Sequence, residues 1–334
     1  MKSFASDNWS PVHPVIMDAI INANNQHQAA YGDDDYTKYA QDYFRSIFGA
    51  ESSTYFVFTG TAANVLAIES IAQSFHAVIC SEHAHIHVDE CGALEKHSGL
   101  KILALPSVDG KIRPEQIRPI IKSERFPHQS EPGVISITQT SELGTVYSLE
   151  EIKALADLAH KNGLYLHVDG ARIGNAAAFL KTDFKQMITD TGVDVLSFGG
   201  TKAGLMFGEA VVFLKPGFDK HFELYRKQGM QLASKMRFIA AQFIALLSND
   251  LWRSNALQAN EMAAYLEQKL SRIPEVQITQ KVESNGVWAI IPKSLAEKMQ
   301  NTQFFYPWDE QKDEYRLMCS WDTTREEVDR FLTE

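Results

Sequence analysis

The chain has 334 residues, 45% of them apolar and 22% charged, which excludes a disordered chain and leaves room for about two domains. Lys and Arg number 32 against 42 Asp and Glu, a net charge of −10 with no basic stripe, so nucleic acid is not an expected partner. The most apolar stretch, Phe238–Leu247, is far short of the ~20 residues that span a bilayer, the N-terminus carries no apolar leader, and Cys80, Cys91 and Cys319 form no paired motif, so a cytoplasmic protein is expected.

The first 20 residues, polar with Pro11 and Pro14, read as an arm. Helices are expected at Val15–Ala23 and Thr37–Phe48, the second stopped before Gly49. From Tyr55 the pattern alternates. A strand at Tyr55–Phe58 leads to a helix over Ala62–Ala72, then to strands at Ala77–Cys80 and Lys101–Leu105. The clearest unit begins with the strand Val134–Thr138. Ser148 and Glu151 fit a capping box, Ile152, Leu155, Leu158 and Ala159 share a stripe, and Asn162-Gly163 supplies the stop. Leu164–Val168 is the returning strand, so this is a parallel crossover. Val193–Phe198 and Glu209–Leu214 add two strands. Beyond about Lys215 the chain is helix-rich, with a long helix at Leu257–Ile273. Val276–Thr279, Gly286–Ile291, Arg316–Ser320 and Arg325–Leu332 suggest a small β-β-β-α unit. The expected architecture is α/β, a mostly parallel sheet flanked by helices. Its expected divisions are an arm over 1–20, a large domain over 21–240 and a smaller α+β domain over 241–334.

In such a sheet, ligands sit beyond the carboxyl ends of the strands. Thr59-Gly60-Thr61 follows one strand and opens a helix, a place where free N–H groups can meet a phosphate; a plain strand-to-helix turn is the alternative. Asp169-Gly170-Ala171-Arg172 follows another, putting a carboxylate where it could face a cationic ring nitrogen, or merely cap a helix. Lys202 lies among glycines, Gly199-Gly-Thr-Lys-Ala-Gly204. Buried, its amine would lose proton affinity and could attack a carbonyl; otherwise it is a turn lysine. His83, His85 and His87 alternate, so in an extended segment they would share a face and could bind zinc; a surface set or a catalytic histidine are the other readings. A zinc hydrolase therefore stays open at this point.

Taken together, these stretches resemble the pyridoxal-phosphate enzymes of the aspartate-aminotransferase fold (fold type I), and within them the L-threonine aldolase family of the β-eliminating lyase group. The resemblance is carried by Ser6-Asp7, Tyr31-Gly32-Asp33-Asp34, Thr59-Gly-Thr-Ala-Ala-Asn64, Ala84-His85-Ile86, Glu90-Cys-Gly-Ala93, His167-Val-Asp-Gly-Ala-Arg-Ile173, Gly200-Thr-Lys202 and Glu314-Tyr-Arg-Leu317. It implies cleavage of L-threonine and L-allo-threonine to glycine and acetaldehyde, with pyridoxal 5′-phosphate as cofactor and no metal. Lys202 is implied to carry the cofactor covalently, Asp169 to pair with its ring nitrogen, Gly60 and Thr61 to hold its phosphate, and His85 to stack on the ring, with His85 or a water it holds as the base. Arg172 is implied to lie near cofactor and substrate carboxylate, with Arg316 as the main grip on that carboxylate and Ser6 assisting.

The resemblance also implies a homodimer or homotetramer with sites at the interface, where Lys227, Lys235 or Arg237 could reach a neighbour's phosphate. One departure stands out. Many members of the family carry a second histidine after the strand matching Val134–Thr138, and this chain has Ser141 there. Other readings are an aldolase for bulkier substrates such as phenylserine, a β-eliminating lyase, or a non-catalytic relative of the fold.

Overall fold

The computed structural model describes residues 2–121 and 126–333. Its main sheet has seven strands: β1 (Ser53–Val57), β2 (His76–Ser81), β3 (Lys101–Leu105), β4 (Glu131–Thr138), β5 (Tyr165–Gly170), β6 (Val195–Gly199) and β7 (Glu209–Phe213). They lie in the order β1-β7-β6-β5-β4-β2-β3. All pairs from β6 to β3 are parallel, while β7 runs antiparallel to both β6 and β1. Every residue of β6 and β7 is buried. A strand apolar on both faces needs cover on both, which the flanking helices supply.

The local signals act as the sequence leads one to expect. Ser148 accepts a hydrogen bond from the Glu151 amide at 3.2 Å, and the Glu151 carboxylate accepts from the Ser148 amide at 2.8 Å. That reciprocal pair opens the helix Leu149–Lys161, which returns the chain to β5. One face of the sheet is closed by interlocked phenylalanines: Phe44 meets Phe198 edge-on at 5.3 Å and Phe243 at 5.5 Å, the arrangement that aromatic quadrupoles favour.

A second sheet of four antiparallel strands comprises β8 (Gln277–Ile278), β9 (Gly286–Ile290), β10 (Tyr306–Asp309) and β11 (Glu314–Met318), ordered β10-β11-β9-β8. Its core takes side chains from the helices Leu251–Leu270 and Arg325–Thr333. The expected β-β-β-α unit is thus richer by the helix Lys293–Thr302 and the strand β10. β10 was hard to read because it is a four-residue edge containing Pro307, a residue that edges tolerate and strand interiors do not. The arm also differs from a plain extended segment. Asp7–Trp9 form a helical turn, and a helix begins at Pro14. Before that turn the arm joins the small sheet: Phe4 donates to the Phe304 carbonyl at 2.9 Å and accepts from the Met318 amide at 2.8 Å, and its ring lies 4.8 Å from that of Phe331.

Candidate active site

Strand register gathers the predicted residues. Thr138 pairs with Asp169, Asp169 with Ser197, and Gly199 with Glu209, so these strand ends meet along one edge of the sheet. A cleft of about 360 Å³ opens there, and Gly60, Thr61, His85, Asp169 and Lys202 all line it. The helix Gly60–Ile71 starts at its wall, with Thr59 as N-cap accepting from the Ala62 amide. A Cβ placed on Gly60 would meet nothing within 4 Å. The protein leaves open space in front of a helix N-terminus, where amides and dipole favour an anion.

Asp169 ends β5. Its Oδ1 accepts from the Ala171 amide at 2.9 Å, and its Oδ2 accepts from Asn64 Nδ2 at 2.8 Å. Lys202 sits on the short helical turn Thr201–Ala203 that follows β6. Backbone packs directly on backbone here: a Cβ on Gly199 would lie 2.4 Å from the Ala171 carbonyl, and one on Gly200 would lie 2.5 Å from the Gly208 carbonyl. These glycines let the Asp169 and Lys202 turns touch. Glu209, on β7, accepts from the Gly200 amide at 2.8 Å and so anchors the lysine turn. Burial pushes the Glu209 carboxyl up to about 7 against its bonds to Thr201 and Gly200. Burial, then the neighbouring Arg172, push the Lys202 amine below its ordinary value, which favours the uncharged, nucleophilic form.

His85 begins a helical turn, His85–Val88. The extended segment that would align His83, His85 and His87 does not exist, and no three His, Cys, Asp or Glu side chains gather as a metal set among the described residues. Two carboxylates hold His85. Glu90 Oε1 lies 2.9 Å from its Nδ1, and Glu142 Oε1 accepts from its backbone amide at 2.9 Å. The Glu90 hydrogen bond raises the imidazole above its ordinary value, outweighing burial. Ser141 takes no part in the cleft. Its hydroxyl lies 2.7 Å from Thr145 Oγ1 and donates to the Asp109 carbonyl at 3.3 Å, so Glu142 is the residue of that segment that reaches His85.

Arg172 is engaged by the arm. Its Nε and Nη2 donate to Asp7 at 2.7 and 2.8 Å, and Asn285 Nδ2 donates to the same carboxylate at 2.9 Å. Burial pushes the Asp7 carboxyl up, but the Arg172 charge and hydrogen bonds prevail and hold it at about 2. Ser6 caps the arm's helical turn by accepting from the Asn8 amide at 3.2 Å. Arg316 lies on β11 with its guanidinium 5.4 Å from the Trp308 ring centre. Its Nε is buried with no hydrogen-bond partner. Burial, then Arg172, lower its proton affinity, as for a cation awaiting an anion. Of the three outlying bases, Lys235 lines an adjoining cavity, Lys227 lies over the Tyr31 ring at 5.3 Å, and Arg237 packs on Phe238 at 5.0 Å.

Asp7, Asn64, Glu90 and Glu209 received no role from the sequence. A faint signal existed for Asn64, a polar residue inside the buried run Ala63–Ile68 of its helix. Glu90 lies only five residues beyond His85, yet no pattern marks it as the partner of that ring, and Glu209 and Asp7 bond Gly200 and Arg172 across 9 and 165 positions.

A family model described as beta-eliminating lyase matches residues 3–292. A low specificity L-threonine aldolase of Pseudomonas aeruginosa is 42% identical over 328 residues, 98% of this chain and 95% of that protein. A second protein of that description, from another Pseudomonas strain, matches at the same identity and coverage. A threonine aldolase structure from Leishmania major superposes with a TM-score of 0.94 at 28% identity, covering 99% of this chain and 98% of that one.

Proposed function

Because the chain belongs to the beta-eliminating lyase family, we propose that it is a pyridoxal-phosphate-dependent low-specificity L-threonine aldolase. The reaction is the reversible cleavage of L-threonine and L-allo-threonine to glycine and acetaldehyde. The observation that carries the reading is the cleft itself, where an open helix N-terminus, a buried carboxylate, an imidazole and a lysine amine of lowered proton affinity face one space. Each feature suits the cofactor without reference to any relative. The void over Gly60 has room for a phosphate, Asp169 can hold a protonated ring nitrogen, and Lys202 can bond to an aldehyde carbon.

Bound there, pyridoxal phosphate would supply an electron-withdrawing ring that accepts the electron pair released when a bond at Cα breaks. Around it, each side chain has a distinct task. The amides at Gly60 and Thr61 hold the phosphate, and Asp169 keeps the ring nitrogen protonated. Lys202 would hold the cofactor through its side-chain amine. Arg316 grips the substrate carboxylate, a planar fork meeting a planar anion, with Arg172 and Ser6 beside it. That grip would fix the orientation of the substrate and thereby select Cα–Cβ as the bond presented for cleavage. His85 takes the proton of the β-hydroxyl.

A second cavity of about 430 Å³ adjoins the cleft and shares Phe58 and Phe207 with it; Phe238 and Lys235 complete its wall. An apolar opening of that size supports a homodimer or homotetramer in which another copy closes the site. No described helix is long and apolar enough to cross a membrane, in keeping with action in the cytoplasm.

Lys202→Ala tests the reading directly. The variant is expected to lose the visible absorbance of the cofactor-loaded protein and at least ~1,000-fold in aldehyde release from threonine, the scale of losing a covalent catalyst. Release at the wild-type rate overturns the assignment. A keto acid with ammonia, in place of acetaldehyde with glycine, makes the enzyme an eliminating lyase instead.

A further inference from the structure

His85 is faced by ionisable groups from four elements: Glu90 beyond its own helical turn, Glu142 after β4, Asp169 at the end of β5 and Lys202 after β6. Glu142 fixes the backbone of His85, and Lys202 lowers the proton affinity of its ring. Glu90 alone of the four is hydrogen-bonded to the ring. The Glu90 side chain is fully shielded from solvent, while that of His85 is 42% exposed toward the cleft. The carboxylate is therefore on the protein side of the imidazole and the reacting space on the other.

The direction of the hydrogen bonds follows from donor chemistry. Asn64 Nδ2 has two hydrogens and can only donate. One goes to Glu90 Oε1 at 2.9 Å and the other to Asp169 Oδ2 at 2.8 Å. Glu90 Oε1 is thus an acceptor, and His85 Nδ1, 2.9 Å from the same oxygen, brings the hydrogen. An imidazole protonated at Nδ1 has its lone pair at Nε2, the ring nitrogen that Glu90 does not engage.

We propose that Glu90 is the positioning residue that makes His85 a base. It fixes the Nδ1–H form and aims Nε2 at the substrate hydroxyl, and Asn64 ties Glu90 to Asp169 so that one amide sets the base and the ring-nitrogen partner together. The proposal rests on the aldolase reading above. In the cleavage direction the hydroxyl proton passes to Nε2, and the O–H electron pair becomes part of the aldehyde carbonyl. The Cα–Cβ pair stays with the glycine half, and the imidazolium so formed keeps Nδ1–H on Glu90, whose charge offsets it. The glycine half takes up one proton at Cα to complete the product, and the hydroxyl proton held on Nε2 returns to solvent once the aldehyde has left, so the count balances. Ser141 faces its own turn, which leaves this one imidazole to do work that a second histidine could have shared.

The test uses holoenzyme carrying Glu90→Gln, which keeps size and an acceptor oxygen but removes the charge, together with Glu90→Asp and the wild type. Histidine C2-hydrogen exchange, read by mass spectrometry across pH, gives the proton affinity of His85 with and without cofactor and needs no turnover. In E90Q the His85 midpoint is expected to fall by about one pH unit, and the acid limb of kcat with threonine to move down with it. The variant is also expected to lose roughly 10–100-fold in kcat with KM changed less than threefold, the signature of a weakened base. Glu90→Asp restores the charge and recovers part of both shifts. An E90Q midpoint and acid limb equal to wild type overturn the proposal, as does E90D behaving like E90Q in both. Should E90Q fail to fold, a wild-type His85 midpoint at or below that of free histidine overturns it equally. A wild-type enzyme that releases no acetaldehyde from threonine brings down the functional reading instead, and the exchange midpoints still report whether Glu90 governs His85.

Discussion

Arg172 and Asp7 form a buried ion pair between positions 165 apart in the chain. Removing one partner of such a pair leaves a charge without compensation, which costs more than the pair itself contributes. Asp7→Asn is expected to lower the free energy of urea unfolding by about 3 kcal/mol at neutral pH and to raise KM for threonine more than it lowers kcat. The pH dependence has a defined sign. Asp7 in the fold titrates at about 2, below its ordinary 3.8, so its contribution is complete above 3.8 and is lost as pH falls toward 2. His167 adds an earlier step. It is wholly buried between the Ser136 and Ser197 hydroxyls at 2.9 and 3.0 Å, and burial drives it down to about 4 against the pull of Asp169. Because the unfolded chain takes up that proton at an ordinary 6.5, stability also falls as pH drops from 6.5 to 4. Glu209, raised to about 7, works in the opposite sense and adds stability as pH falls from 7 toward 4.5, so the His167 step is read from the difference in unfolding free energy between wild type and His167→Asn, which should shrink as pH drops from 6.5 to 4. A difference that stays constant over that range would show that His167 is not held neutral.

At the scale of elements, two glycines separate folding from cofactor binding. Gly60→Ala meets no neighbouring atom and adds a better helix former, so the cofactor-free protein should keep or slightly gain stability. The added methyl enters the space proposed for the phosphate, and cofactor affinity should fall tenfold or more. Gly199→Ala sets a methyl against the Ala171 backbone and should fail on both counts, since the turns bearing Asp169 and Lys202 must part. Equilibrium titration with pyridoxal phosphate and thermal melts of the cofactor-free variants distinguish the two. Most elements of the main sheet were legible because each carried its own punctuation: the Ser148–Glu151 box, the Asn162-Gly163 stop, apolar runs at β2, β6 and β7. The small sheet was less so. β8 falls within the expected strand Val276–Thr279, but β10 has four residues, partly or fully exposed along its length, and neither apolar alternation nor turn chemistry has room to develop in so few positions.

Over the whole molecule, the proposed site draws on three regions: strand ends of the main sheet, Arg316 of the small one, and Asp7 of the arm. The positions of Asp169 and Lys202 were legible from strand ends alone, and the chemistry proposed for them, as for His85 and Arg316, rests on resemblance. The Glu90–Asn64–Asp169 chain and the Asp7 clamp were not, since hydrogen bonds between residues 26, 105 and 165 positions apart leave no trace in any window of sequence. Assembly is also decided at this scale. Sedimentation velocity should find a dimer or larger at micromolar concentration, and Phe238→Glu, a charge placed in the apolar cavity beside the cleft, should shift it toward monomer with loss of activity. A fully active wild-type monomer would remove the need for a second copy.

The strap formed by Phe4 and Asp7 has a practical corollary. A product translated from the internal Met17 could still build the main sheet, but it would arrive with the Arg172 guanidinium unanswered and the small sheet missing its plug at Phe4. Lys2 belongs to the same seam, its amine donating to the Asp322 carbonyl at 3.0 Å. Catalytic competence is thus exposed to whatever trims or crowds the first few residues, however sound the remainder of the polypeptide.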